Sequence, residues 1–312
     1  MSQPIQAMMT NKALPGILFM ALGIFLSMSM NVIIKEQAAA FPIGQIVFFR
    51  NFFGLIPAFL ILFLHRKKQA FRFHKPVLHF KRALFGTIGF LLIFLSLKLL
   101  NLAESATLLF TTSLFMTALS PLLLKESVGW HRWLAVIAGF CAIAWIKPPT
   151  NVMQIGAIIA IGGALFEAMN LLYSRKLSQH DPSATVHFYF TLLSTFLTIP
   201  LLLIESDHST IAMICGWKTM TWTYFWHMLA LGIGGSMAFY CMTLASQRAQ
   251  SATIAPIIYT SIVWAIIFDF VFWGTIPTLK LLVGGCIVIA CGLYITWREH
   301  IKTASPATQF KI

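Results

Sequence analysis

The amino-acid sequence predicts an all-α integral membrane protein with about ten transmembrane helices, arranged as two inverted repeats of five helices each. The first observation is composition: of 312 residues, 58% are hydrophobic and only 10% are charged, whereas charged residues make up about 25% of a typical soluble protein. The second is a series of apolar stretches of about 20 residues, the length that a helix needs to cross a bilayer. The third is a set of short sequence identities between the two halves of the chain.

The apolar spans follow one another with connectors too short to hold a soluble domain. The chain divides into a tail at 1–12, a five-helix unit at 13–147, a second unit at 152–297 and a tail at 298–312. The first span lacks the small-residue cleavage pattern of a signal peptide, so we expect it to stay in the protein as a membrane helix. The predicted spans are 13–34, 42–64, 79–100, 103–124, 130–146, 152–174, 185–204, 221–245, 251–273 and 277–297.

The positions of the basic residues predict how these spans are oriented. With the N-terminus in the cytoplasm, sixteen Lys and Arg residues, Arg82 among them, fall on the cytoplasmic side and five, Lys35 among them, on the opposite side. The one remaining basic residue, Arg50, lies well inside a span, whereas the others lie in connectors or near span ends. Because cytoplasmic connectors are enriched in Lys and Arg, we expect both termini in the cytoplasm and the protein in a bacterial inner membrane. The net charge of +13 then reflects the lipid bilayer as partner and not a nucleic acid.

An internal repeat supports two units of five helices. The tripeptide at 105–107 recurs at 251–253, which is 146 residues later, and Gly23 recurs as Gly163, which is 140 residues later. Because five is an odd number, the two units must enter the membrane with opposite orientations. Inverted repeats of this kind place a substrate site near mid-membrane, at the interface between the units.

The sixth span contains a carboxylate near its middle. A charged side chain at the bilayer centre costs about 2.5–3.5 kcal/mol on insertion scales, so it is kept only where it meets a partner, water or a substrate. Two interpretations are open: a helix-packing stripe with one hydrogen-bonded acid, or the lining of a substrate pathway. At helical spacing, one face of this span carries Gly156, Ala160, Gly163, Glu167, Asn170 and Ser174.

The first repeat carries no acid at the corresponding place. Ser27 occupies the position of Glu167, and Asn31 lies close to the position of Asn170. Because this acid occurs in just one of the two repeats, it suits a group that recognises the substrate or couples transport to an ion. Proton coupling through Glu167 is a hypothesis here, because burial disfavours the charged form of a carboxyl group.

Two further charges lie inside spans. Arg50 is about eight residues from the outer end of the second span, and Asp269 is a few residues from the outer end of the ninth. Two interpretations are open: the two residues form a structural ion pair that fixes helix packing, or Arg50 serves as an anchor for an anionic group or as a member of an outer gate. Because Glu167 lies deeper along its span, we expect it to be a less favourable partner for Arg50.

The fourth and ninth spans are polar for membrane helices. Pro121 and Pro256 are expected to interrupt them and to free backbone carbonyls for a pathway. Serine and threonine in such helices often bond their own backbone, so a structural role for each one is the alternative. As a group, the polar and aromatic side chains of this region could bind a planar metabolite, and the candidates are Thr112, Tyr240, Tyr259, Thr260 and Trp264.

The sequence contains no metal-ligand cluster, no phosphate-binding glycine loop and no nucleophile elbow. We therefore expect no cofactor, no bound metal and no enzymatic activity. The five cysteines have no paired or metal-type spacing and are interpreted as small hydrophobic residues. Two other classes stay open: an integral-membrane lipid-modifying enzyme, which would need a convergent acid–base or metal set, and a non-transporting membrane receptor.

Four stretches resemble a known family: FFRN at 48–51, the segment 102–126, HRWLAVIAGF at 131–140 and SATIAPIIYTSIVWAIIFD at 251–269. They are similar to the EamA branch of the drug/metabolite transporter superfamily, over nearly the whole chain. The resemblance implies ten helices, cytoplasmic termini, a central cavity between the halves, and secondary active transport of a small organic metabolite by alternating access.

The resemblance also implies roles and substrates. Arg50 of FFRN and Glu126 after the fourth helix match the family pattern, but the second half has Thr275 where that acid would recur. Within the superfamily, the FFRN and HRW sequences are most similar to those of members that take up riboflavin or S-adenosylmethionine. These two, or an amino-acid-like compound, are the expected substrates, and the amine of S-adenosylmethionine would suit Glu167.

Overall fold

The computed structural model describes residues 3–64, 74–124, 128–145, 151–204, 209–248 and 257–304. Within them every regular element is an α-helix. The helices are α1 Gln3–Ala40, α2 Ile43–Leu64, α3 Pro76–Leu99, α4 Leu102–Leu109, α5 Thr111–Leu124, α6 Trp130–Trp145, α7 Asn151–Leu177, α8 Ser183–Leu203, α9 Ser209–Ala212, α10 Trp222–Arg248, α11 Ser261–Trp273 and α12 Leu279–Ala304.

Seven stretches of the described helices are long and apolar enough to cross a membrane, and one of them runs through α4 and α5 as a single span. The helices α6, α11 and α12 supply shorter apolar segments, so the predicted architecture of about ten transmembrane helices in two repeats is confirmed. Many large apolar side chains on the outer surface are exposed, among them Leu122 at 78% and Leu203 at 79%. Lipid tails would cover such side chains in a bilayer.

The fourth span breaks at Phe110 and not at the predicted Pro121, which lies inside α5. The amide of Phe110 donates to the carbonyl of Thr107 at 3.3 Å, a three-residue step that tightens the turn. The hydroxyl of Thr111 donates to the carbonyl of Leu108 at 2.6 Å. These local bonds satisfy backbone groups at the break, so no proline is needed there. Pro256 lies outside the described residues.

The packing of the helices repeats between the two halves. The helix α3 packs along α7, and α1 packs along α10, so the first helix of each half lies against the third helix of the other. Glycine permits both contacts, since a Cβ atom added to Gly23 would lie 3.0 Å from the carbonyl oxygen of Ala238, and one added to Gly163 would lie 3.1 Å from the amide nitrogen of Ile93. The identity of Gly23 and Gly163 thus marks structurally equivalent close contacts.

The two ends of the bundle differ in their charged groups. One end, here called the Lys35 end, contains Lys35, Asn101 and Asp269, and the topology prediction places it outside the cytoplasm. The opposite end, the His74 end, contains His74 and the connector between α7 and α8. The hydrophobic core between the ends draws on helices of both halves.

Candidate functional site

A small cavity lies between the two halves of the protein. Its volume is about 60 Å³, and its walls come from α2 and α3 of the first half and from α7, α8 and α10 of the second. It is here called the central cavity, and its lining residues are Arg50, Asn51, Gly54, Arg82, Phe90, Glu167, Asn170, Leu171, His187, Phe190, Thr191, Gly232, Gly235, Ser236 and Phe239.

Two guanidinium groups and one carboxylate meet at the central cavity. Arg82 is only 2% exposed, its Nη1 atom donates to the carbonyl of Val186 at 2.6 Å, and its guanidinium lies 4.4 Å from the ring centre of Phe190. Glu167 accepts a hydrogen bond from the Nδ2 atom of Asn170 at 3.1 Å. Both arginines are within electrostatic reach of the Glu167 carboxylate.

Arg50 lies on an aromatic ring at the same cavity. Its guanidinium is 4.1 Å from the ring centre of Phe90, and its Nη1 atom donates to the Oδ1 atom of Asn51 at 3.3 Å. Gly235 of α10 lies beside it, and a Cβ atom there would be in ordinary van der Waals contact with the Nε atom of Arg50 at 3.5 Å. Cation–π contacts of this kind stabilise a desolvated guanidinium without neutralising its charge.

Several buried polar atoms around the central cavity have no hydrogen-bond partner among the described residues. They include two donors, Nε of Arg82 and Nδ2 of Asn51, and an acceptor, Oδ1 of Asn170; Nδ1 of His187 also has no partner. A buried polar group without a partner costs about 1–3 kcal/mol. All four residues line the central cavity, so a water or a ligand bound there would lie next to these side chains.

A larger vestibule adjoins the central cavity on the His74 side. It has a volume of about 270 Å³ and includes the residues Asp181, Tyr240 and Thr243 in its walls. His187 and Phe239 line both the vestibule and the central cavity. Their rings stack with centres 4.2 Å apart and planes 12° apart, so this pair separates the two spaces.

Asp269 holds the Lys35 end together. Its carboxylate accepts hydrogen bonds from the backbone amides of Leu102 at 3.0 Å and Ala103 at 2.8 Å, which begin α4. It also forms an ion pair with Lys35 at 3.5 Å. Negative charge at a helix N-terminus is favourable because the first amides of the helix have no intrahelical partner. We call Asp269, Lys35 and the start of α4 the latch.

The latch corrects one sequence prediction. Asp269 pairs with Lys35 and not with Arg50, so the predicted ion pair between Arg50 and Asp269 is wrong. The predicted order of depths was also misleading, since Arg50 and Glu167 line the same cavity. The long side chain of arginine reaches well beyond the depth of its own Cα atom.

The structure brings some of the predicted site residues together. Arg50, Glu167 and Asn170 line the central cavity, and Tyr240 lines the vestibule. One part of the small face of α7 packs against α3, through Gly163, and another part, with Glu167 and Asn170, lines the central cavity.

The other candidates do not line the central cavity. Trp264 packs on Phe25 with ring centres 4.9 Å apart, and Tyr259 packs on Phe110 at 5.0 Å. The hydroxyl of Thr260 donates to the carbonyl of Ile257 at 2.6 Å, which is the structural role considered for such groups. Three further candidates are partly buried away from the cavity lining: Ser27, Asn31 and Thr112.

The sequence pattern counts Arg82 with the cytoplasmic basic residues, at the start of the predicted span 79–100, and the structure corrects this, because Arg82 lines the central cavity. The helix α3 begins at Pro76, which occupies one of its first two positions. Proline is favoured at the start of a helix because its missing N–H would have no partner there. A helix that starts at Pro76 places Arg82 more than one turn inside, so the proline was the signal that could have identified it.

The sequence matches the EamA-like transporter family twice, at residues 14–147 and 154–298. The chain belongs to this family. A solved crystal structure of another protein shares the fold, with a TM-score of 0.59 at 15% identity, over 95% of this chain and 99% of that one.

Curated relatives of this EamA-like protein are bacterial transporters. The pseudopaline exporter CntI of Pseudomonas aeruginosa (strain UCBPP-PA14) is 26% identical over 88% of this chain and 94% of its own length. The S-adenosylmethionine uptake transporter of Rickettsia felis is 22% identical over 92% and 94%. The riboflavin transporter of Rhizobium johnstonii is 25% identical over 98% and 99%. The chain is thus a multi-pass membrane transporter of a family whose members carry small molecules.

Proposed function

We propose that this protein is a secondary active transporter that moves a small organic metabolite across the bacterial inner membrane by alternating access. The observation that carries the proposal is the central cavity, where Arg50, Arg82 and Glu167 meet between the two repeats. Charges at this depth are expensive and are retained where they serve a substrate or an ion. Inverted repeats place transporter sites at such an interface.

The two sides of the central cavity support alternating access. On the Lys35 side the latch joins α11 to the start of α4. On the His74 side the stacked rings of His187 and Phe239 lie between the cavity and the vestibule. Charged contacts and backbone hydrogen bonds on one side, and a ring pair beside an open vestibule on the other, suit a conformation that opens next toward the His74 end, which we propose to face the cytoplasm.

We propose S-adenosylmethionine, riboflavin or an amino-acid-like compound as the substrate, because relatives are transporters of the first two and because the cavity is charged. Glu167 is the proposed coupling residue, with the proton as coupling ion. The cavity volume of about 60 Å³ is small beside the 300–1,000 Å³ typical of ligand pockets. A transported molecule would therefore widen it or extend into the vestibule.

Uptake into proteoliposomes tests the proposal. Labelled S-adenosylmethionine, riboflavin and a mixture of amino acids would be offered with and without an imposed pH gradient. We expect saturable uptake of one compound, accelerated by the gradient, in wild type and in Glu36→Gln, an exposed glutamate of α1 outside the cavity. Glu167→Gln should lose the response to the gradient.

Other results would count against parts of the proposal. Uptake in Glu167→Gln with an unchanged response to the pH gradient would remove this residue from coupling. Uptake of no compound in either direction, by protein shown to be folded, would refute secondary transport of these substrate classes.

A further inference from the structure

The charges that line the central cavity do not balance. Arg50 and Arg82 each carry a permanent positive charge, since arginine stays protonated in proteins. Glu167 supplies one negative charge, and the other cavity side chains in the described part of the chain are uncharged apart from His187, a neutral or cationic group. With Glu167 ionised, at least one positive charge in the cavity has no protein counter-charge.

The contacts of the two guanidinium groups do not supply that counter-charge. Arg82 bonds a backbone carbonyl and lies on an aromatic ring, and Arg50 bonds the neutral amide of Asn51 and lies on another ring. A charge in a low-dielectric interior is expensive unless a charge of opposite sign accompanies it. A ligand that brings a negative charge would therefore bind more favourably than a neutral one of the same shape.

The unpartnered polar atoms fall into two groups that match two chemical groups of a ligand. Nε of Arg82 and Nδ2 of Asn51 are donors, and donors bind a carboxylate. Oδ1 of Asn170 is an acceptor beside the carboxylate of Glu167, and acceptors bind an ammonium group. Arg82, Asn51 and Asn170 are 2%, 1% and 4% exposed, so these atoms have no access to bulk water in this conformation.

We propose that the central cavity recognises the head group of an α-amino acid, with the carboxylate bound at Arg82 and Asn51 and the ammonium group bound at Glu167 and Asn170. This inference rests on the proposed function and narrows its substrate class. A head group suits the cavity volume of about 60 Å³, and the remaining part of the molecule would extend past Phe239 into the vestibule of about 270 Å³. Riboflavin, which has neither group, is then disfavoured.

Binding to the purified full-length protein tests the head-group inference. The probes are L-phenylalanine, phenethylamine, which lacks only the carboxylate, and 3-phenylpropionate, which lacks only the amine. S-adenosylmethionine and its decarboxylated form make a second pair, and riboflavin is the neutral comparison. We expect at least one complete amino acid to bind at least tenfold more tightly than its partner without the carboxylate.

Variants of the cavity test which side chains bind the carboxylate of the ligand and which bind its ammonium group. Arg82→Gln should reduce the preference for phenylalanine over phenethylamine to less than threefold, and Glu167→Gln should do the same for the preference over 3-phenylpropionate. The two variants remove opposite charges, so misfolding cannot produce both selective losses. Arg248→Gln, which removes an arginine that lies on the ring of Phe19 outside the cavity, should bind as wild type does.

The inference would be overturned if the probes without a carboxylate bound as tightly as their partners, if only riboflavin bound, or if no amino acid bound. Its failure is distinguishable from failure of the proposed function. Carboxylate-dependent binding of a compound that is never carried into liposomes would support the head-group site and refute transport of that compound. Uptake of riboflavin, together with binding of amino acids that does not depend on their carboxylate, would support transport and refute the head-group site.

Discussion

The latch at Asp269 gives the sharpest prediction about conformational change. Replacing Asp269 by asparagine keeps the shape of the side chain and removes its charge. The amide retains one acceptor oxygen for the two backbone N–H groups of Leu102 and Ala103, which now lie 3.0 and 2.8 Å from the carboxylate oxygens. Its NH₂ group would face one of those donors, and the ion pair with Lys35 would be lost.

The expected magnitude follows from these contacts. A hydrogen bond to a charged group contributes about 1.5–3 kcal/mol, and loss of an N-cap costs about 1 kcal/mol. Lys35 would keep its contact with Asn101 at 3.5 Å and with the ring of Trp273 at 4.4 Å, so its own loss is partial. We expect Asp269→Asn to weaken the closed Lys35 end by about 2–3 kcal/mol, which corresponds to about a 30- to 150-fold change in the ratio of open to closed forms.

Cysteine accessibility measures that ratio. Ala106 lies on α4 near the latch, is 9% exposed and belongs to the same buried cluster as Ala265 of α11. In protein whose five native cysteines are replaced by alanine, Ala106→Cys should react slowly with a water-soluble thiol reagent. Adding Asp269→Asn should raise the labelling rate by at least tenfold. Adding Lys35→Met should raise it less, because Asp269 would still accept hydrogen bonds from the amides of Leu102 and Ala103.

A labelling rate within threefold of the parent would refute the latch. A lower unfolding temperature without faster labelling would show that Asp269 stabilises the fold as a whole and not one conformation of it. Because both measurements are made on the same preparations, the two roles can be separated.

Three further predictions concern other contacts. Gly232→Ala should lower the unfolding temperature by several degrees, because its Cβ would lie 2.9 Å from a backbone nitrogen of α2, whereas Gly162→Ala, whose Cβ would meet only a side-chain atom at 3.6 Å, should not; equal effects would contradict close packing at Gly232. Phe239→Ala should open the central cavity to the vestibule and make uptake less dependent on a pH gradient; unchanged coupling would show that its ring is not a barrier. Asp181→Asn should destabilise the protein by about 1–3 kcal/mol, since its carboxylate contacts the buried His79 at 2.9 Å; an unchanged unfolding temperature would contradict this.

The number of helices could be predicted from the sequence because the signals for it are local. Apolar length sets each span. The equivalence of Gly23 and Gly163 was visible as a repeat, and in the structure both glycines permit close helix contacts. The orientation of the termini stays a prediction. Glu126 lies outside the described residues, so its role also stays a prediction from the resemblance.

The partners of the charged residues could not be predicted from position along a helix. Depth in the membrane is one coordinate, and it favoured Asp269 over Glu167 as the partner of Arg50, whereas Arg50 and Glu167 line the same cavity in the structure. Which neighbour it meets depends on how α2 is rotated and on which helices pack beside it, and both depend on many small contacts at once. Arg82 was missed for a different reason, because the predicted start of the third span at 79 made it a residue of the helix end.

The two charged clusters differ in a way that suits opposite roles in one cycle. In the latch, Asp269 meets Lys35 and the amides of α4, so its charge is satisfied by the protein itself. In the central cavity, two guanidinium groups share Glu167, so one positive charge has no counter-charge among the described side chains that line it. Arg82 is on α3, and α4 begins three residues after α3 ends. The cavity and the latch are therefore joined by one continuous stretch of chain, from Arg82 on α3 to the start of α4.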